Sequence, residues 1–235
     1  MMTTSLKQVL YREFLAGRTW FDWLFLLSGL ALQVLVFWLA PSEPIVIVSG
    51  LSGILSVVLC AEGKISYYVF GFLQVVTYLI ISFRQQLYAE VGINVFYFVT
   101  MIWGVYNWWK RYHVDEQTGS SELAARKLTA FWWVVFIVFS IVGSVLVGWG
   151  LSTFTNDSDP YLDAFSAVPA IIAQMLLVMG YREQWFFWFL IDMFCVWLWI
   201  RAGNWSIAAL YAFWSINCIK GYIHWTSSAN QNSEI

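Results

Sequence analysis

Two tryptophans and one carboxylate in the second half of the chain form the arrangement best suited to binding a ligand. Trp188 and Asp192 are four residues apart and Trp185 precedes Asp192 by seven, so one helix face would carry all three. Flat aromatic surfaces beside a single acceptor suit a flat ring that is cationic or carries hydroxyl groups. The pattern predicts a ligand contact or, alternatively, a packing face in which Asp192 bonds to another helix.

Other isolated polar side chains lie within apolar runs. Gln74 and Asn217 are each flanked by apolar residues, and Trp103 and Asn107 are four residues apart in a third run. Because such amides can also hold helices together, for about 0.6–2 kcal/mol, both roles stay open. We expect Gln74 to lie across the site from Asp192, and Trp103 and Asn107 to come from a neighbouring helix nearer the cytoplasmic end. Asn217 is a further candidate for bonding to the ligand.

Residues for catalysis or metal binding are not grouped in this sequence. The cysteines and histidines are far apart: Cys60, Cys195, Cys218, His113 and His224. No His, Cys and carboxylate cluster has the spacing of metal ligands. No lysine lies at the centre of a long apolar run. We therefore predict that the protein binds no metal and no cofactor and that it is not an enzyme.

Two other classes of function remain as alternatives. A membrane enzyme acting on lipid-like substrates would need a catalytic group at an interface, and none is visible. A helical scaffold for a larger complex would leave the isolated polar residues Gln74 and Asp192 unexplained.

The composition places these residues in a membrane. Apolar residues make up 60% of the 235 positions and charged residues only 11%, against about 45–50% and about 25% in soluble domains. The net charge of −2 supplies no basic surface for nucleic acid.

Eight stretches are long enough to cross a bilayer, which takes about 17–25 apolar residues. Runs such as 131–146 are apolar on every side, which favours helices over barrel strands. The eight predicted spans are Trp20–Ala40, Ile45–Ala61, Ile65–Phe83, Tyr88–Trp109, Leu128–Trp149, Leu162–Met179, Gln184–Ile200 and Trp205–Ile223. A segment before them, 6–18, fits either an interfacial helix or a frayed leader.

The basic residues orient the chain. With the N-terminus in the cytoplasm, only Arg84 and Arg201 fall outside. The other ten fall inside: Lys7, Arg12, Arg18, Lys64, Lys110, Arg111, Arg126, Lys127, Arg182 and Lys220. This bias predicts that both termini are cytoplasmic. Tryptophans near span ends are assigned to the interfacial belt: Trp20, Trp23, Trp38, Trp149, Trp205 and Trp225.

The two halves of the chain resemble each other. An offset of 118 relates Tyr67, Phe70 and Gln74 to Trp185, Trp188 and Asp192. An offset of 117 relates Tyr97, Gly104 and Trp108 to Trp214, Gly221 and Trp225. Because the span at 128–149 separates the copies, both three-helix units would have the same orientation, with a site between them near the midplane.

We therefore predict one all-α integral membrane domain over residues 1–235. Residues 1–44 form an extra N-terminal helix region, and 45–109 form the first three-helix repeat. Residues 110–149 contain a polar linker, up to Lys127, and a linker helix. Residues 150–235 form the second repeat and the tail.

Several motifs together resemble the PnuC nicotinamide riboside transporters. They are Glu62–Tyr68 with Gly71–Gln74, Gln86–Ala89, Trp103–Trp108, and Tyr181–Trp188 followed by Asp192. The last is similar to a W-x-x-W-x-x-x-N motif, with Asp in place of Asn, and some family members have Asn where this chain has Gln74.

This resemblance implies a SWEET-like fold of two three-helix repeats and a linker helix. It implies a homotrimer in the bacterial inner membrane that imports nicotinamide riboside by facilitated diffusion for NAD synthesis. A cytosolic riboside kinase would then trap the substrate. The alternative that it leaves open is thiamine, or another flat cationic vitamin.

Overall fold

The computed structural model describes residues 6–114, 119, 121–156 and 159–231. Positions 115–118 and 120 of the predicted polar linker and the tail residues 232–235 lie outside the described residues. Within the described ranges the chain forms helices and one short pair of strands. They are α1 (Leu6–Phe14), α2 (Trp20–Leu39), α3 (Pro44–Ala61), α4 (Tyr67–Arg84), α5 (Tyr88–Trp109), β1 (Tyr112–Val114), β2 (Ser121–Leu123), α6 (Ala130–Phe154), α7 (Pro160–Val178), α8 (Gln184–Arg201) and α9 (Trp205–Gln231).

The long helices α2 to α9 follow the eight predicted spans in order, so the helical fold is confirmed. Helices α2, α3, α4, α6 and α7 are long and apolar enough to cross a membrane by length and composition. Helices α5, α8 and α9 have 22, 18 and 27 residues and include polar side chains such as Asn107, Asp192 and Lys220. The predicted ends at Trp149 and Ile223 are too early, since α6 continues to Phe154 and α9 to Gln231.

Helices α3 and α7 end in the same way. Gly63 and Gly180 follow them with φ of 67° and 76°, a left-handed conformation that glycine adopts without steric cost. The Gly63 amide donates to the Cys60 carbonyl at 3.0 Å, and the Gly180 amide donates to the Leu177 carbonyl at 2.9 Å. Each pair of equivalent residues is 117 positions apart.

The same spacing of 117 residues relates both ends of α4 to both ends of α8, and the start of α5 to the start of α9. The predicted offset of 118 for the α4–α8 pair is therefore wrong by one residue. Gln74 corresponds to Ile191, and Asp192 corresponds to Val75. The turns after α4 and α8 are of equal length, with left-handed residues at Gln86 and Gly203, so no slip occurs between neighbouring helices.

The helix packing exchanges partners between the two halves. Helices α3, α4 and α5 pack in chain order, and α7, α8 and α9 do the same. Between the halves, α3 packs against α9 and α5 packs against α7. The first helix of each half thus meets the last helix of the other. Helix α2 packs outside α3 and α9, and α6 packs outside α7.

The polar linker contains a short antiparallel hairpin, which the sequence analysis did not predict. Tyr112 pairs with Leu123 in the strand register. The Leu123 amide donates to the Gly63 carbonyl at 2.9 Å, and its own carbonyl accepts from the Ser228 hydroxyl at 3.0 Å. The hairpin therefore joins the turn after α3 to the last turns of α9, which explains why α9 is longer than predicted.

Charged side chains tie α1 and several loops together at one end of the bundle. Lys64 Nζ donates to the carbonyls of Ser121 at 3.1 Å and Arg12 at 3.2 Å, and Arg18 pairs with Glu62 at 2.7 Å. Burial lowers the pKa of Lys64 and raises the pKa of Glu62. These basic residues lie together, as their predicted location on one side of the membrane requires.

The segment 6–18 begins with helix α1, which favours the interfacial helix over the frayed leader. Glu13 is buried, accepts from the Ser66 amide at 3.2 Å and is hydrogen-bonded by the Tyr112 hydroxyl. The apolar side chains of Leu6 and Leu10 are exposed.

Candidate functional site

Asp192 lies inside the bundle, on the side of α8 that faces α9. Its residue surface is 7% exposed, and its Oδ2 accepts from the Cys218 thiol at 3.4 Å. No basic side chain among the described residues pairs with it. A carboxylate in this environment needs either a proton or a cationic partner, because an unpaired buried charge is costly.

The two tryptophans of the predicted face have different surroundings. Trp188 is half-buried and meets Tyr97 of α5 edge to face, with ring centroids 6.3 Å apart. This contact joins α8 of one half to α5 of the other. Trp185 is 4% exposed and lies against Gly221 of α9, where an added Cβ would clash with the indole ring. Its indole N–H has no hydrogen-bond partner among the described residues.

Gln74 is half-buried on α4, beside Gly53 of α3. The one-residue correction of the repeat offset means that it is not the counterpart of Asp192. The symmetry argument for pairing these two side chains across the site is lost, and a ligand contact by Gln74 stays a prediction.

Trp103 and Asn107, which were predicted to reach the site from a neighbouring helix, lie in different environments. Trp103 is 43% exposed, so its ring lies at the surface of the single chain. Asn107 is half-buried, and its Nδ2 donates to the Val178 carbonyl at 3.4 Å, which ties α5 to the end of α7. The structure therefore gives Asn107 a helix-to-helix bond.

Asn217 makes a bond between the halves and keeps one atom free. It is 2% exposed, and its Nδ2 donates to the Val57 carbonyl of α3 at 2.9 Å. Its Oδ1 has no partner among the described residues. The counterpart of this bond, 117 residues away at both ends, runs from Gln174 Nε2 to Thr100 Oγ1 at 3.1 Å.

Trp225 does not belong to the interfacial belt, contrary to the sequence assignment. It is 1% exposed, and its indole N–H donates to the Cys60 carbonyl at 3.1 Å. The assignment failed because α9 extends beyond the predicted span end, to Gln231, and the ring packs against Trp108 and Trp185, with centroids 5.4 and 5.7 Å away. Trp20, Trp38, Trp149 and Trp205 are more than half exposed, as a belt requires.

Sequence reasoning missed Gln184 as a candidate. It is the first residue of α8 and is completely buried, and neither polar atom of its amide has a partner among the described residues. Its spacing of four residues from Trp188 was the available signal. Metal binding has no structural support in the described part of the chain, where no three His, Cys, Asp or Glu side chains converge.

A sequence model of the family described as "Nicotinamide mononucleotide transporter" matches residues 43–227. A relative from Neisseria mucosa named "Nicotinamide riboside transporter PnuC" is 33% identical over 230 residues, which are 94% of this chain and 87% of the relative. The chain belongs to the PnuC family. A relative of the same name from Haemophilus influenzae is 29% identical, over 94% of this chain and 96% of its own length.

The fold agrees with this assignment. A solved structure titled "Crystal structure of the Vitamin B3 transporter PnuC" matches with a TM-score of 0.82 at 31% identity, covering 97% of this chain and 99% of that one. The resemblance seen in the sequence is confirmed. The protein is a multi-pass membrane transporter of the PnuC family and not an enzyme.

Proposed function

We propose that this chain carries nicotinamide riboside across the membrane by facilitated diffusion. The observation that supports the proposal most is Asp192, a buried carboxylate without a basic partner among the described residues, on the same helix face as Trp188. The pyridinium ring of nicotinamide riboside is flat and cationic. It would stack on tryptophan, while Asp192 balances the charge or accepts from a ribose hydroxyl.

The same carboxylate favours the riboside over the mononucleotide that the family description names. A phosphate group carries about −1.5 to −2 charges at pH 7. Placed inside the bundle near Asp192, with no basic side chain paired to it in the described structure, a phosphate would be repelled rather than bound. A riboside has no such group.

We place the site between two parallel three-helix repeats, α3–α5 and α7–α9, joined by α6. The exchange of packing partners and the 117-residue spacing of turns, helix ends and cross-bonds support this architecture. Movement of one repeat against the other would then expose the site to each side in turn.

Eight spans with both termini in the cytoplasm complete the proposed topology in the bacterial inner membrane. Support comes from the ten basic residues assigned to one side, several of which lie together at one end of the bundle. Homotrimeric assembly and trapping of the substrate by a cytosolic riboside kinase are further parts of the proposal, and they are supported only by the family resemblance.

Uptake of labelled nicotinamide riboside into liposomes containing the purified protein tests the function directly. We expect saturable uptake that unlabelled riboside blocks, and weaker or no competition by the mononucleotide and by thiamine. Saturable thiamine uptake without riboside uptake would replace the proposal with the thiamine alternative. Equal competition by the mononucleotide would contradict the charge argument for Asp192.

A further inference from the structure

Gln184 is the one side chain in the described part of the chain with two buried polar atoms that both lack a partner. It is 0% exposed, and both Oε1 and Nε2 lack a hydrogen-bond partner among the described residues. The indole N–H of the next residue, Trp185, is also buried without a partner. Buried polar groups in native proteins nearly always have partners, so unsatisfied groups of this kind need an explanation such as a ligand or a water.

Elsewhere in the bundle, a buried glutamine with a packing role has its bond. Gln174 is 6% exposed and donates to Thr100 Oγ1 at 3.1 Å. Gln174 and Gln184 are both buried, at 6% and 0% exposed, but neither polar atom of the Gln184 amide has a partner among the described residues. Gln33 on α2 lacks a partner only for its Oε1. Gln184 is thus the buried glutamine whose whole amide is left for a partner that the described part of the chain does not supply.

The position of Gln184 on α8 suggests what that partner is. Gln184, Trp188 and Asp192 follow at intervals of four residues, so they lie along one side of the helix. With a rise of about 1.5 Å per residue, Gln184 is about 12 Å from Asp192 along the axis, and Trp188 is midway. A ring stacked on Trp188, with its sugar toward Asp192, would direct a ring substituent toward Gln184.

We propose that Gln184 binds the carboxamide of the substrate and selects it over a carboxylate. This inference rests on the proposed function, in which the ligand is nicotinamide riboside. A glutamine amide offers one acceptor oxygen and one donor nitrogen, which match the N–H and the carbonyl of a second primary amide. A carboxylate at the same ring position offers acceptors only, and it would be repelled by the Gln184 oxygen. Trp185 Nε1 is a further donor at the same level of the bundle.

The test compares three ligands on the purified full-length protein by calorimetric titration. They are nicotinamide riboside, nicotinic acid riboside, whose ring carries a carboxylate, and 3-acetylpyridine riboside, which keeps the carbonyl but lacks the N–H donor. The wild type should bind nicotinamide riboside at least tenfold more tightly than either analogue. In Gln184→Met, which keeps the length of the side chain, the ratio for the acetyl analogue should fall to nearly one, and the ratio for the carboxylate analogue should also fall.

Gln33→Met is the matched control. Gln33 is also buried, with an unpartnered amide oxygen, but it lies on α2 outside the two halves. This variant should keep the wild-type preference among the three ligands. It shows what removing a buried amide does to the protein when ligand selection is not involved.

Two results would overturn the inference. One is an undiminished preference for the carboxamide in Gln184→Met. The other is an equal loss of affinity for all three ligands, which a buried water or a packing role would produce. If the variant does not run as a monodisperse species, the comparison of ligands on the wild type is the test. Equal affinity of the wild type for the acetyl and carboxamide ligands would rule out the role assigned to Gln184. If the wild type binds none of the three ribosides, the proposed function itself is wrong.

Discussion

Trp108 and Trp225 meet at an angle of 65°, with ring centroids 5.4 Å apart, and their hydrogen bonds cross between the two halves of the bundle. The Trp108 indole N–H donates to the carbonyl of Leu177 at 3.0 Å, and the Trp225 indole N–H donates to the carbonyl of Cys60 at 3.1 Å. The two donor residues are 117 positions apart, and the two acceptor residues are also 117 positions apart. The two bonds are therefore counterparts, and each ends on the turn that closes α7 or α3.

The first prediction is that both cross-bonds stabilise the fold by similar amounts. Trp108→Phe and Trp225→Phe each remove one hydrogen bond, worth about 0.5–1.5 kcal/mol, and leave a smaller ring in a closed site. Both variants should unfold at lower temperature than the wild type in detergent. Trp20→Phe is the control, since Trp20 is 65% exposed and should change little. An unfolding temperature like that of the control, in either variant, would contradict the prediction.

Asp192→Asn separates charge from hydrogen bonding. Asparagine still accepts from Cys218, so the contact seen at 3.4 Å can remain, but the negative charge near the ring is lost. We expect affinity for nicotinamide riboside to fall about tenfold, which corresponds to about 1.4 kcal/mol, and competition by the mononucleotide to increase. Glu43→Gln removes an exposed charge at the Arg84 pair instead, and it should change neither value. An unchanged affinity in Asp192→Asn would restrict this residue to hydrogen bonding.

Trp188→Ala tests the stacking surface. Stacking of a base on an aromatic side chain is worth about 1–3 kcal/mol by alanine substitution, so affinity should fall tenfold or more. Trp197→Ala is the matched control on the same helix, because Trp197 is 47% exposed. Calorimetric titration of monodisperse protein gives both values. Wild-type affinity in Trp188→Ala, together with wild-type affinity in Gln74→Ala, would exclude this placement of the site.

The order of the helices and the grouping of basic residues were predictable from the sequence because both depend on composition along the chain. The burial of Trp225 was not, since it depends on contacts with Trp108 and Trp185, which lie on two other helices. The polar linker gave no strand pattern long enough to indicate β1 and β2, which have three residues each.

The offset between α4 and α8 was predicted wrongly from the spacing of aromatic residues. Aromatic residues are so frequent in α4 and α8 that offsets of 117 and 118 both give matches. Gly63 and Gly180 indicate the offset better, because few residue types other than glycine adopt the left-handed conformation at a helix end. Aligning them gives 117 and removes the false pairing of Gln74 with Asp192. Gln184 was missed for a different reason, since an unsatisfied amide is visible only once its surroundings are known.

The topology can be checked with reporter fusions. Fusions after His113 and at the C-terminus should both report the cytoplasm, because ten of the twelve basic residues are assigned to that side. A fusion after Arg84, in the turn that follows α4, should report the opposite side and serves as the control. A periplasmic signal at either of the first two positions would mean that the number of spans is wrong.

The last prediction is that transport does not use an ion gradient. Asp192 is bonded to a thiol and has no basic partner among the described residues, so it forms no acid–base pair of the kind that relays protons through transporters. Initial uptake into liposomes should be the same with and without a proton or sodium gradient, and internal substrate should reach but not exceed the external concentration. Co-encapsulating ATP and a kinase that phosphorylates the riboside should raise total accumulation without changing the initial rate. Uphill accumulation of unmodified riboside, driven by either gradient alone, would show that the protein is ion-coupled.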